Sequence, residues 1–191
     1  MTHKETFKEL MTGITRNGIE NLATYLEEQT DFYTAPSSTK YHLSVPGGLL
    51  LHSLNVHKLL ALKAKSYRLP IDPETLLVVS LFHDICKTNF YGTEMRNVKE
   101  NGQWIQKQIY VVKDQFPIGH GEKSVIMLQN FITLTEEEQL AIRWHMGPFT
   151  DGFDSFTLKQ AYNAAVKKYK LVPALFAADY EASQIFETEG E

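Results

Sequence analysis

Apolar positions recur every three or four residues along most of the chain, and that helical period is the first thing its sequence shows. Within residues 1–30, Ile19, Leu22, Tyr25 and Leu26 form a stripe that leaves out Glu20, Glu27 and Glu28. This predicts amphipathic N-terminal helices, interrupted near Gly13 and Gly18. Residues 31–48 lose the period and carry two prolines, three serines, two threonines and Gly47-Gly48, the composition of a loop. Phe32, Tyr33, Tyr41 and Leu43 are too apolar for a free linker, so the loop is expected to be ordered and laid on the core. The period returns over 49–68 as a long helix. Asp72 then reads as an N-cap with Pro73 at the first helical position, opening a helix over 75–87 that is apolar nearly all round and therefore central and buried.

From residue 96 to 112 the pattern changes to strand-like alternation about Asn101-Gly102, a dipeptide that favours the turn matching strand twist. One β-hairpin is predicted there. A further helix is expected from Gly119 through Phe131, and another from Thr135, where Glu138 three residues on completes a capping box; it ends at Gly147-Pro148. A surface helix over 158–170 and a final helix over 172–186 come after it, with a disordered tail expected after Thr188. The result is an all-α fold with one β-hairpin insertion, read as a single domain over 1–191: helices in 1–30, an ordered loop in 31–48 and a helical core in 49–187.

Composition narrows the class. The 191 residues are 43% hydrophobic and 22% charged, which fits one compact domain that needs no cross-link to hold its core. Cys86 is the only cysteine, so no disulfide can form within the chain. No N-terminal apolar run suggests an export signal or a membrane span, and the cytoplasm is the expected compartment. A net charge of −4 argues against a sequence-independent hold on long nucleic acid, which depends on many phosphate contacts from Lys and Arg. Residues 87–123 are mildly basic, with six Lys or Arg against four Asp or Glu. That stretch fits a solvated hairpin and a lid recruiting an anionic substrate equally well.

The candidate chemistry sits on this pattern. Leu81-Phe82-His83-Asp84-Ile85-Cys86-Lys87 ends the central apolar helix in a His-Asp pair, with Lys87 three residues beyond Asp84 on the same helix face. A buried unpaired Asp84 would cost several kcal/mol, so a cation, either a metal or Lys87, must face it. His52 lies among Leu49, Leu51, Val56 and Leu59, where a ring nitrogen needs a partner. His57 lies about 140° around the same helix and reads as exposed or structural. His120 stands between two glycines at a helix start, His145 in the last turn before Gly147, and Asp179 in an apolar run. His3 reads as solvated. His42 reads first as a hydrogen-bonding support and second as a direct contact to metal or substrate. Four imidazoles and two carboxylates in such places suit one or two transition-metal ions.

The ordered set GGLLLHSLNV around His52, LFHDICK around His83 and Asp84, GHGEKS around His120, RWHMG around His145 and AADYEAS around Asp179 resembles the HD-domain metal-dependent phosphohydrolases. Within them it is similar to a single-domain bacterial and phage subgroup, and to the HD module of bacterial 3′–5′ exoribonucleases. The resemblance implies an all-α core and assigns His52, His83, Asp84 and Asp179 to one divalent ion, with His120 and His145 joining a bridging Asp84 at a second. Manganese, iron, cobalt, nickel and zinc all remain open. It further implies water activated by metal for attack on phosphorus. Lys87 matches a lysine that approaches substrate phosphate in HD-GYP phosphodiesterases, though the GYP signature is absent. Asp84 and Lys87 are the expected catalytic pair. Lys40, His42, Lys123 and Arg143 are candidates for substrate binding, and Glu122, His42 or a metal-bound water for the general acid. The expected activity is hydrolysis of a small phosphate ester, a nucleotide or similar molecule. Alternatives are a phosphodiesterase acting on short oligonucleotides or cyclic nucleotides, and a nucleotide-binding module without turnover.

Overall fold

The computed structural model describes residues 1–188, so the tail expected after Thr188 lies outside the described residues. Eight α-helices run in the order α1 (His3–Met11), α2 (Ile19–Glu28), α3 (Gly48–Tyr67), α4 (Pro73–Phe82), α5 (His120–Gln129), α6 (Glu136–Arg143), α7 (Phe156–Lys168) and α8 (Leu171–Glu181). The antiparallel hairpin β1 (Tyr91–Glu100) and β2 (Gln103–Val112) lies between α4 and α5. The protein is therefore mostly helical with one small two-stranded sheet, in keeping with the all-α expectation. No helix among the described residues is long and apolar enough to cross a membrane.

Capping chemistry sets several boundaries. Asp72 accepts from the backbone N–H groups of Glu74 and Thr75 with Pro73 beginning α4, and Thr135 and Glu138 form a reciprocal capping box at α6. A second capping box, Thr2 with Glu5, opens α1. The core is built where α3 packs on α4 and α8 and where α6 packs on α8, around Leu49, Val56, Leu60, Val78, Leu81, Ile142 and Leu175. Phe7 joins α1 to it through Phe32 and Phe82, with ring centroids 5.0 and 5.8 Å away.

Four boundaries differ most from the sequence reading. The helix expected to reach Gly147 ends at Arg143, so His145 follows α6 rather than lying in its last turn. The hairpin starts at Tyr91 rather than 96, because Tyr91 to Met95 pair with Val112 to Gln108 beyond the alternating stretch. The helix expected over 75–87 stops at Phe82; His83 caps it, and Ile85–Lys87 form a separate 3₁₀ turn. Lys87 still faces Asp84, since three residues make one turn of a 3₁₀ helix. The final helix is α-helical only to Glu181, and Ala182–Phe186 widen into a π-helical turn.

Candidate metal centre

His83 and His145 reach the same place by the same local device. Each follows the end of a helix, where backbone carbonyls have no intrahelical donor. His83 Nδ1–H donates to the carbonyl oxygen of Ser80 at 3.0 Å, and His145 Nδ1–H to that of Ile142 at 2.6 Å. A carbonyl only accepts, so in both rings Nδ1 carries the proton and Nε2 is left facing inward. His52, from the second turn of α3, uses a carboxylate instead: its Nδ1 lies 3.0 Å from both oxygens of Glu187. His120 begins α5, and there a glycine is required. A Cβ on Gly121 would stand 2.2 Å from the Arg143 carbonyl oxygen, so only glycine lets the start of α5 meet the end of α6 and set His120 beside His145. Their ring centroids are 5.2 Å apart.

The six residues singled out from the sequence converge. His52 Nε2 is 3.0 Å from Asp179 Oδ1, 3.5 Å from Asp84 Oδ2 and 3.3 Å from His83 Nε2. His83 Nε2 is 3.6 Å from Asp84 Oδ2 and 3.9 Å from Asp179 Oδ1. The other oxygen of Asp84 turns to the remaining pair: Oδ1 is 2.8 Å from His120 Nε2 and 3.4 Å from His145 Nε2. His83, His145 and Asp179 also lie close enough to form a set of three, so His145 stands between the two groups. His52, His83, Asp84 and His145 are buried, Asp179 is 14% exposed and His120 29%.

These donors fit divalent cations. With bonds of about 2.1 Å, neighbouring ligand atoms on one ion are spaced by about 3.0–3.4 Å, close to the separations just given. The stronger reason is electrostatic. Burial drives His83 down to about 3, so its Nε2 is a lone pair facing the lone pairs of Asp84 at 3.6 Å. His145 Nε2 is buried with no hydrogen-bond partner among the described residues. Acceptors aimed at acceptors in a buried site need a cation between them. Without one, protons supply part of the compensation. Burial opposes charge on His52, but its bonds to Asp179 and Glu187 outweigh that and push it up to about 9. His120 is likewise opposed by burial, yet raised to about 10 by Cys86 and Asp84. Asp179, which burial would raise, is held at about 2 by His52.

Lys87 Nζ sits 2.7 Å from Asp84 Oδ2. Burial alone would raise the Asp84 carboxyl, but Lys87 and the histidines hold it well below the usual carboxylate range, and Asp84 in turn keeps Lys87 charged. The centre opens on a cavity of about 530 Å³ lined by Lys87, His120, Glu122, Arg143, Asp179 and His42 on its polar side. Tyr41, Phe149, Phe176 and Tyr180 make the apolar side, with the Phe149 and Tyr180 rings stacked at 5.6 Å and 5°.

The four candidates for substrate contact separate. Arg143 and His42 line the cavity; Arg143 pairs with Glu122 Oε1 at 2.5 Å while its Nη1 and Glu122 Oε2 are buried without partners among the described residues. Lys123 does not line it: it is buried, ion-paired with Asp114 and set over the Phe90 ring, so its charge is already used. Lys40 is exposed over the Tyr41 ring and does not line it either. The hairpin's tip residues are exposed, and none belongs to the cavity wall.

Three participants escaped the sequence. Cys86 Sγ lies 3.3 Å from His120 Nδ1, a contact across 34 positions that no spacing announces. Ser80 links His57 Nδ1, 3.0 Å from its hydroxyl, to His83 through its carbonyl. Glu187 looks in the sequence like one more member of an acidic C-terminus. A family model described as the HD domain matches residues 49–182, which span α3 to the start of the π-helical turn and include all six converging residues but neither His42 nor Glu187. No curated protein and no solved structure matched.

Proposed function

The chain belongs to the HD-domain family, and from that premise we propose that it is a metal-dependent phosphohydrolase acting on a small phosphate ester of the nucleotide class. The observation that carries the reading is the inward convergence of the unprotonated His83 Nε2 and the unpartnered His145 Nε2 on the two oxygens of one buried aspartate. His52, His83, Asp84 and Asp179 would hold one ion, and Asp84, His120 and His145 a second. When bound, such ions supply Lewis acidity toward a phosphoryl oxygen and make water nucleophilic near neutral pH. The chain's own groups do the rest. Lys87 keeps a positive charge at the cavity floor, where it offsets negative charge developing on the phosphoryl oxygens. Arg143, with one guanidinium nitrogen unpaired, is the second cation on the wall. The aromatic side offers a planar apolar face that suits a base or another flat leaving group, and the cavity volume suits a ligand of nucleotide size.

The test begins with chelator-stripped protein reconstituted with manganese, iron, cobalt, nickel or zinc. Each form is assayed on p-nitrophenyl phosphate, bis(p-nitrophenyl) phosphate, nucleoside mono- and triphosphates, cyclic nucleotides and short oligonucleotides. Metal-dependent turnover of at least one ester, lost in Asp84→Asn, is expected. Stoichiometric metal binding with turnover of none would overturn the enzymatic reading and leave a binding module.

A further inference from the structure

We propose that Glu187 is a positioning residue of the metal centre, fixing the tautomer and ring orientation of His52 from the last turn of the described chain. The inference rests on the reading of the cluster as a metal centre, and the observation behind it is a carboxylate with too many donors to be incidental. Glu187 is buried, and it accepts from three side chains: Asn55 Nδ2 at 3.0 Å on Oε1, His52 Nδ1 at 3.0 Å on both oxygens, and His42 Nδ1 at 2.6 Å on Oε2. Asn55 and His52 come from α3 and His42 from the loop before it, so one carboxylate ties three segments together.

His52 needs such a partner because of where it lies. His83 and His145 follow helix ends and reach carbonyls of the last helical turn that no N–H of the same helix takes. His52 sits inside α3, whose carbonyls are taken by the N–H groups four residues on, so its Nδ1–H can find an acceptor only outside its own helix. A carboxylate is a stronger acceptor than a carbonyl and leaves Nε2 a better donor to a metal ion. With Nδ1–H held by Glu187, Nε2 faces Asp179 and Asp84 at 3.0 and 3.5 Å.

The chain reaches this position by changing helix type. After Glu181 the α-helix widens into the π-helical turn Ala182–Phe186, closed by a hydrogen bond from the Glu187 N–H to the Ala182 carbonyl oxygen. A π turn inserts one extra residue and rotates the next residues around the axis, and such turns gather at functional sites. Here it sets Glu187 against α3. Glu187 and His42 both fall outside residues 49–182, the stretch that the family model matches.

The experiment compares wild type with Glu187→Gln and Glu187→Ala. Calorimetric titration with zinc gives affinity and stoichiometry, the visible spectrum of the cobalt form reports ligand geometry, and melting of the metal-free proteins reports folding. Glu187→Gln keeps the volume and an accepting oxygen but not the charge, so a merely structural residue would be rescued by it. We expect Glu187→Gln to melt close to wild type, yet bind zinc about tenfold more weakly with an altered cobalt spectrum, and Glu187→Ala to bind up to about 100-fold more weakly. Unchanged affinity and spectrum in both variants would overturn the proposal, as would loss of a whole ion from the stoichiometry, which would make Glu187 a ligand. Wild-type protein that binds neither metal would fail the underlying reading first, with no variant needed to show it.

Discussion

At the scale of single residues, the centre depends on which nitrogen of each imidazole carries the proton, and in His83 and His145 a backbone carbonyl settles that. Asp84 is the residue the rest turn on, because its two oxygens face different histidines: Oδ2 meets His52 and His83, Oδ1 meets His120 and His145. If each oxygen serves one ion, removing one of the second pair should cost one ion and no more. His120→Ala and His145→Ala are expected to lower metal content from two ions to one and to reduce phosphodiester hydrolysis at least 100-fold, the size of effect seen when one electrostatic contact to the transition state is deleted. Elemental analysis beside the assay checks this, and unchanged content and activity in both would rule out a second ion there.

Among elements, the most connected tie away from the centre is Glu138. Fully buried, it accepts from Arg16 Nη1 and Nη2 at 2.7 and 2.5 Å and from the Thr75 hydroxyl at 2.7 Å, and it closes the capping box at Thr135. It therefore joins the link between α1 and α2 to both α4 and α6. Arg16→Ala would leave that carboxylate buried and uncompensated, at a cost of about 3 kcal/mol in urea unfolding. Burial alone would raise the Glu138 carboxyl, but the bonds from Arg16 and Thr75 outweigh it and place it below the usual 4.5. A depressed folded value contributes stability above the unfolded one and loses it as pH falls through the folded one. The stability gap between wild type and Glu138→Gln should thus be full above about pH 4.5 and narrow below it, measured as urea midpoints across that range. The hairpin is the opposite case. Its tip is exposed, with Trp104 at 72%, and among the described residues its strands pair only with each other. Replacing residues 97–106 with Asn-Gly leaves Arg96 and Lys107, a pair of the same hydrogen-bonded type as Glu100 and Gln103, to flank the turn, and should shift the melting temperature by no more than about 4 °C and leave metal binding intact.

At the scale of the whole molecule, fold and centre are separable in energy though not in space. The apolar core runs from Phe7 in α1 to Ala182 at the start of the π turn and includes none of the six converging residues. The metal-free protein should therefore stay folded, unlike small domains that a metal holds together. Added metal stabilises through binding alone, by about 2.7 kcal/mol at a free concentration 100 times Kd, which for a chain of this length is roughly 5–10 °C in melting temperature. Scanning calorimetry of stripped and reconstituted protein tests both parts. Unfolding on chelation would show the core to be weaker than its burial implies.

The sequence by itself determined the helical period, the caps at Asp72 and Thr135, the hairpin turn at Asn101-Gly102 and the six residues that converge, because each of these is written within a few positions or in a residue type out of place in its surroundings. An aspartate ending an apolar helix or a histidine among leucines states locally that something polar must meet it. Only the tertiary structure decided what does. Lys123 and Asp114 are close in sequence, yet nothing in their spacing shows that they pair and leave the cavity; Cys86 and His120, or Glu187 and His52, are too far apart for spacing to say anything. The break at His83 is the intermediate case. The sequence shows an apolar run continuing into Ile85 and Cys86, whereas the helix stops at Phe82, the His83 ring takes the Ser80 carbonyl and the chain tightens to a 3₁₀ turn. Local pattern fixes which residues need partners, whereas the partners themselves are chosen by the packing of α3, α4, α6 and α8, a long-range property that no window of sequence contains.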